Sequence, residues 1–548
     1  MADETPQIKT GGEAVVNALI ENGVDTVFGI PGIQLDPLYD AFYHKRNQVR
    51  MIQTRHEGGA AFMAMGYAQS SDKTGVFAVV PGPGLLNAMG AVCTAEGANT
   101  PVLGITGQIP SDQIGLNYGI AHELRDQLAM SRGVVGWAKR ADHAVEVPGM
   151  LSEAFTYIRS DRQLPAIFEM APDGFASCGP VSTLPAAPVS AGPAVDAGQI
   201  ERAAARLATA ERPAIFIGGG VYGSEAELMT FAERLQAPVI DSVSGRGAFP
   251  SDHPQYFNTM AGQKIWESID CAIAVGTRFL PQTLVWGRAG EIDVVRIDVD
   301  PRQIVKPEPA EYPILAPAQS GLAALTAALD EAPDRSAHLA ACVDAREAAE
   351  EELRGLGAWY DYNAAVRNAL PRDGILVVDP AQFGHYARYA FPAYHPKTVL
   401  GAGYQATLGY AYPASLGAKL ANPDKKVVCV AGDGGFMFSA QEMAVAAQQG
   451  IAVVCIVFDN AGYMNVKMIQ DRRFGGRNIA TDLQNPDFVA FAESFGITAE
   501  RATTPDELEE ALTRLLVADE PALIHVPIGE VPWVWDLVKR APAQGKID

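Results

Sequence analysis

Cysteine is scarce and scattered. The 548-residue chain has six, Cys93, Cys178, Cys271, Cys342, Cys429 and Cys455, and no two are spaced as Cys-x-x-Cys. That spacing argues against a zinc site or a disulfide framework and fits a reducing cytosol. Positive charge is also in deficit: 42 Lys and Arg stand against 64 Asp and Glu, a net charge of −22. A phosphate backbone would be repelled, which argues against nucleic acid as a partner. Apolar runs fall far short of the roughly 20 residues that span a bilayer, so no membrane partner is expected either. The opening residues, Met1-Ala2-Asp3-Glu4-Thr5-Pro6, are acidic and lack the basic and apolar regions of a secretory signal, so a cytoplasmic location is expected.

What is present is apolar residue, 48% of the chain, enough for several cores. At about 150 residues per domain the length suggests three or four of them. Three segments each alternate short apolar strands with longer helical patterns, the mark of parallel sheets with crossover helices. The first has strands near Thr26-Val27-Phe28-Gly29, Gly75 to Val80 and Val102 to Ile105. A proline-rich linker, Leu184 to Pro193, follows. The second segment restarts at Arg212-Pro213-Ala214-Ile215-Phe216-Ile217 and continues through Cys271 to Val275 and Val294 to Asp298. After Glu331-Ala332-Pro333-Asp334 a charged helical stretch leads to the third, which opens with Ile375 to Asp379. The expected class is α/β, with three doubly wound parallel-sheet domains at 1–183, 194–335 and 355–548.

The most informative stretch is Gly432-Asp433-Gly434, then 24 residues, then Asp459-Asn460. Each half ends an apolar strand, Val427 to Ala431 and Ile451 to Phe458, and Ser439 to Gln449 between them reads as a helix with Met443, Val445 and Ala446 inward. Such a unit sets Asp433 and Asn460 at the carboxyl ends of parallel strands, where open α/β sheets bind ligands. Two hard oxygen ligands suit Mg²⁺, and glycine-flanked amides suit phosphates. A second motif, Gln53-Thr54-Arg55-His56-Glu57-Gly58-Gly59-Ala60-Ala61, opens a small-residue helix. A third runs Gly401 to Tyr410, and a fourth is Gly82-Pro83-Gly84-Leu85-Leu86-Asn87.

The Gly432–Asn460 segment resembles the diphosphate motif of thiamine diphosphate (ThDP) enzymes, spacing included. The family motif ends in two asparagines, and Asp459 stands in place of the first. With the three-domain order, the whole chain resembles the acetohydroxyacid synthase, pyruvate oxidase and benzaldehyde lyase superfamily. The resemblance implies that Asp433, Asn460 and the main-chain carbonyl of Gly462 hold Mg²⁺. It implies that Gly432, Gly434, Gly435 and Gln382 lie by the diphosphate, with Tyr463 and Met464 nearby. It makes Glu57 the acid that touches N1′ of the aminopyrimidine, Leu408 the wedge between the cofactor rings, and the Ala406 carbonyl an acceptor for the 4′-amino group. The turn ending in Asn87 would shape the pyrimidine pocket. The cofactor would sit between the first domain of one subunit and the third of its neighbour, in a homodimer or homotetramer. FAD in the middle domain stays open and is not favoured: Gly218-Gly219-Gly220 is no dinucleotide fingerprint, and Arg278 and Asp298 read more simply as solvated strand ends.

On the substrate side, Asp126-Gln127-Leu128-Ala129-Met130 and Trp137-Ala138-Lys139-Arg140 resemble benzaldehyde lyase, which implies that Gln127 positions substrate. Gln34 falls where that lyase has a histidine; His122 and Gln108 are further candidates, and the catalytic set is Glu57, Gln127, Gln34 and His122. The leading expectation is a carbon–carbon lyase or carboligase acting on small carbonyl compounds: 2-hydroxy ketones, aldehydes or 2-oxo acids. A 2-oxo acid or acyl-CoA decarboxylase of the same superfamily is the alternative within the class. A non-catalytic ThDP-binding regulatory subunit is the alternative from another class, and a nicotinamide dehydrogenase has no phosphate fingerprint to support it.

Overall fold

A computed structural model describes residues 6–288, 290–329 and 333–537. The Met1–Thr5 stretch and the Glu331-Ala332 step read above lie outside these. Three six-stranded sheets, each wholly parallel, follow one another along the chain. Their strands are apolar on both faces, as at Val76-Phe77-Ala78-Val79 and Val427-Val428-Cys429-Val430, because helices cover each sheet on both sides. An antiparallel ribbon pairs Gln7–Thr10 with Cys178–Val181 and closes the first domain on itself. Among the described residues no helix is long and apolar enough to cross a membrane.

Strand order decides where ligands can bind. In the first sheet the order is Arg50–Gln53, Thr26–Gly29, Gly75–Val79, Val102–Thr106, Ala166–Met170, Trp137–Ala141. The direction of winding reverses between Thr26–Gly29 and Gly75–Val79, so a crevice opens beyond their carboxyl ends. The third sheet repeats this order and reverses between Ile375–Val378 and Val427–Gly432. The loops at those two points carry Gln34 and Gly82 in one domain, and Gln382 and Asp433 in the other.

The middle sheet reverses between Pro213–Ile217 and Cys271–Val275. There the Gly218 amide donates to Val275 and the Gly220 amide to Gly276, each at 3.0 Å, and a β-carbon on Gly218 would lie 2.3 Å from the Gly276 carbonyl oxygen. Arg278 is no solvated strand end. It donates to the Gly97 carbonyl of the first domain at 2.8 Å and its guanidinium lies 5.3 Å over the Tyr404 ring of the third. Asp298 is likewise largely buried, and burial raises its pKa.

The first and third domains meet through two helices. Helix Glu57–Gln69 is buried from Gly58 to Ala68, as a helix apolar all round must be. It crosses helix Ala411–Ala421 with the main chains in contact: a β-carbon at Gly66 would sit 1.9 Å from the Ala414 carbonyl oxygen, and one at Gly417 1.9 Å from that of Met63. Phe62 meets Tyr410 edge to face at 5.7 Å, and the Tyr410 hydroxyl donates to Gln69.

One expected element is split. Instead of a helix from Ser439, a turn at Asp433–Phe436 and a 3₁₀ turn at Ala440–Glu442 precede the helix Met443–Gln449, and Ser439 itself, at φ −138° and ψ 16°, lies outside helical geometry. Met443, Val445 and Ala446 face inward.

Gly417→Ala tests the crossing. Alanine should favour the helix by about 1 kcal/mol, but the obstacle is main chain that cannot rotate away, so a net loss of about 1–3 kcal/mol is expected. A melting temperature equal to or above the parent's would refute the close approach.

Candidate active site

Glu57 opens its helix, and the preceding His56 caps it, its Nδ1 accepting from the Gly58 amide at 3.0 Å. The Asn87 amide donates to Glu57 Oε2 at 3.0 Å. On the Oε1 side stands Gly84, where a β-carbon would come within 3.4 Å, so the absence of a side chain keeps this oxygen approachable. Gly82, at φ 62° and ψ −118°, turns the chain from strand into the helix bearing Gly84 and Asn87. Only glycine fits there: a β-carbon would lie 2.5 Å from the His122 carbonyl oxygen. His122 itself has φ 68° and its Nδ1 lies 3.0 Å from the Pro81 carbonyl. A carbonyl only accepts, so Nδ1 carries the proton and Nε2 is left for other work.

Gln34, 8% exposed in the 3₁₀ turn Ile33–Leu35, packs beside Gly107. Gln127 takes a different place from the one expected of it. It is 2% exposed; its Oε1 accepts from the Gly82 amide at 2.9 Å, and its Nε2 donates to Gly107 at 2.9 Å and to Glu169 at 2.7 Å. Its amide is therefore occupied by protein. Gln108 is also buried, donating to the other Glu169 oxygen at 3.0 Å.

In the third domain the Asp433 carboxylate is 2% exposed and accepts from the Gly462 amide at 3.0 Å and the Asn485 amide at 2.7 Å. Asn485 also donates to Asp459 at 2.8 Å, and the other Asp459 oxygen lies 3.0 Å from His525 Nε2. Asn460 donates through Nδ2 to Gln382 at 3.2 Å, which ties these two residues and leaves the Asn460 oxygen as an acceptor. The Gly462 carbonyl accepts from Met464, and the Tyr463 ring packs on Gly434. The loop carrying Ala406, at φ 49°, and Leu408 runs beside Gly435. Burial raises the Asp433 pKa; Asn485 and main-chain amides oppose it, and the Asp459 carboxylate adds to it. None of these influences is a cationic side chain. A buried carboxylate facing a second one, with amide oxygens around them, suits a divalent cation, so the residues fit Mg²⁺ and a diphosphate.

Three family descriptions match the chain in order: the thiamine pyrophosphate enzyme N-terminal TPP binding domain over residues 9–130, the central domain over 200–325, and the C-terminal TPP binding domain over 379–526. The chain belongs to the thiamine pyrophosphate enzymes. It is 31% identical to a probable acetolactate synthase large subunit of Methanocaldococcus jannaschii, covering 94% of this chain and 92% of the relative. It is 31% identical to the acetolactate synthase large subunit of Haemophilus influenzae over 98% of each. It is 34% identical to a probable 2-ketoarginine decarboxylase of Pseudomonas aeruginosa, over 92% and 91%. The similarity of this TPP enzyme to these relatives extends over at least 91% of each chain.

Glu169 and His525, which reach the site from strands, and Asn485, which reaches it from a loop, lie outside every motif and were not legible in the sequence. It also gave no role to Asp379. That side chain accepts from the Ala411 amide at 2.7 Å, while its buried Oδ2 has no partner. Burial raises its pKa from 3.8 to about 7, against the pull of main-chain amides. The folded chain therefore holds this proton more tightly than the unfolded one, so the stabilisation is complete below about pH 4 and is lost as pH rises through about 7. The melting temperature should fall between about pH 5.5 and about pH 8, and fall less in Asp379→Asn. Equal falls in the two proteins would assign the pH dependence elsewhere.

Proposed function

We propose that this TPP enzyme is a Mg²⁺-dependent carbon–carbon lyase or carboligase acting on 2-hydroxy ketones, aldehydes or 2-oxo acids. One observation carries the reading: the side chain that contacts Glu57 is the Asn87 amide, and the turn beside it is bordered by the His122 imidazole and, by Gly107, the Gln34 amide. ThDP, when bound, supplies an electron sink for breaking and forming the bond beside a carbonyl carbon. Glu57 holds or shares a proton at its Oε1, while Asn87 fixes Oε2. Asp433, Asn460 and the Gly462 carbonyl would hold Mg²⁺, with Gln382 and the amides of Gly434 and Gly435 at the diphosphate. Gln34 orients carbonyl and hydroxyl groups, and amides cannot deliver a proton at neutral pH. A donor fragment flanked by amides is better placed to meet a second carbonyl than to be protonated and released. The names of the acetolactate synthase relatives agree with this direction.

Decarboxylation of a 2-oxo acid is the second reading. The Nε2 of His122, which can take up a proton and pass it on, favours it, and so does the name of the 2-ketoarginine decarboxylase relative.

The protein works as a homodimer or a dimer of dimers in the cytoplasm. The groups around Glu57 come from the first domain and those around Asp433 from the third. Apolar side chains stand exposed on both, Leu86, Leu116 and Tyr118 on one and Phe438, Phe474 and Ile479 on the other, and helix Met464–Phe474 buries none of its residues within the chain. Surface of that kind fits a second subunit.

The test offers purified protein, ThDP and Mg²⁺ a 2-oxo acid with excess acceptor aldehyde, then quantifies hydroxy ketone against free aldehyde. Hydroxy ketone should dominate; near-complete release of aldehyde would select the decarboxylase reading. Glu57→Gln should fold and bind ThDP yet lose at least about 100-fold in rate, and unchanged turnover would remove Glu57 from the mechanism. Asp433→Ala should fail to retain ThDP and Mg²⁺ in calorimetry; parent-like affinity would move the metal site elsewhere.

A further inference from the structure

An apolar strand, Ala166-Ile167-Phe168-Glu169-Met170, is interrupted by one carboxylate that solvent does not reach. Its neighbours in register are Thr106 on one side and Arg140 on the other. Three donors converge on its two oxygens: Gln127 at 2.7 Å on Oε2, with Gln108 at 3.0 Å and Arg140 at 3.5 Å on Oε1. A buried charge costs several kcal/mol unless it is paired and hydrogen-bonded, and a purely structural strand has no need of one.

What the carboxylate holds is informative. Gln127, fixed by Glu169 through Nε2, presents Oε1 to the Gly82 amide at 2.9 Å. Gly82 sets the turn that places Gly84 beside Glu57 Oε1 and Asn87 on Oε2. His122 holds the same turn from its other side through the Pro81 carbonyl. We infer that Glu169 is a positioning residue for Glu57, acting through Gln127 and the Pro81–Gly84 turn, and that Gln127 serves this reaction as a strut rather than as a substrate contact. The inference rests on the reading of Glu57 as the cofactor-facing acid.

The chemistry is directional. Both oxygens of Glu169 must accept, because every group aimed at them is a donor. In Glu169→Gln one position becomes an NH₂ set against a donor, Gln127 on one side or Gln108 and Arg140 on the other, so the array that holds Gln127 on Gly82 is disturbed either way. Strands hold such a group more exactly than loops do, so the displacement should fall on the turn. A misplacement on the scale of 1 Å at the reacting groups should lower kcat about 10–100-fold. ThDP affinity should change little, since the diphosphate and metal residues belong to the third domain.

The experiment measures kcat, ThDP affinity by calorimetry and melting temperature for the parent, Glu57→Gln, Glu169→Gln, and the reciprocal pair Glu169→Gln with Gln127→Glu. The reciprocal pair again sets a carboxylate against an amide across the same gap, with an acceptor still facing Gly82, but it loses the bond to the Gly107 carbonyl, so recovery should be partial. The expected result is a kcat loss in Glu169→Gln with ThDP affinity within about threefold, and recovery of at least about fivefold in the pair. Parent-like kcat in Glu169→Gln while Glu57→Gln is inactive overturns the strut and leaves the role of Glu57 standing. Activity in Glu57→Gln overturns the underlying reading instead. Loss of ThDP binding and thermal stability in step with kcat, without recovery in the pair, reduces Glu169 to a structural acid. Should Glu169→Gln be insoluble, Gln127→Met removes the link to Gly82 together with those to Gly107 and Glu169 and carries the same expected kcat loss; unchanged kcat there also overturns the proposal.

Discussion

Two helices cross with no side chain between their main chains, and the layout of the chemistry follows from that contact. Gly66 and Gly417 permit it; any β-carbon at either position would enter the carbonyl oxygen opposite. Glu57 is the first residue of one helix, and the loop bearing Leu408 leads into the other. Asp379 accepts from the first amide of the second helix, so the end of the third domain's first strand fixes where that helix begins. An error in the crossing would move Glu57 and the Leu408 loop together.

Four buried carboxylates show how environment divides one functional group among several tasks. Asp433 accepts from the Asn485 and Gly462 amides and stands near the Asp459 carboxylate, which adds to the upward push of burial. Glu169 is also raised by burial, but amide donors and Arg140 oppose the shift, so it acts as an acceptor for three donors. Asp379 and Glu442 have pKa values raised to about 7 by burial, and each has one oxygen without a partner. Glu442 accepts from the Arg55 amide just ahead of Glu57, another tie between the third domain and the first. The common physics is desolvation, and the number of donors decides its outcome.

The amide side chains have a similar logic. Asparagine and glutamine donate and accept hydrogen bonds without titrating, so such side chains hold a geometry at any pH near neutrality. Among them Gln127 and Gln34 diverge. The first has protein partners on both polar atoms, and the second lies buried beside Gly107. The middle domain shows the same contrast between motif and use: its three glycines serve close strand packing, and Arg278 ties three domains together.

Strand alternation with helices, the three parallel sheets and the Gly432–Asn460 and Glu57 motifs were legible in the sequence, because each depends on local order: apolar runs, glycine turns and fixed spacing. Asp433, Asn460 and Gly462 could be grouped in advance since one β-α-β unit carries them all. Gln127 could be found but its use could not, because its partners Gly82, Gly107 and Glu169 come from three other places in the chain. Asp459 showed as a departure from a motif; only the fold supplied His525 and Asn485 as its partners. The sequence by itself determined which strands form and which residues end them. Tertiary structure alone decided which side chains those ends bring together, since neighbours in a parallel sheet are separated by whole crossover helices, and burial, which sets the charge and hydrogen bonding of a carboxylate, exists only once they have packed.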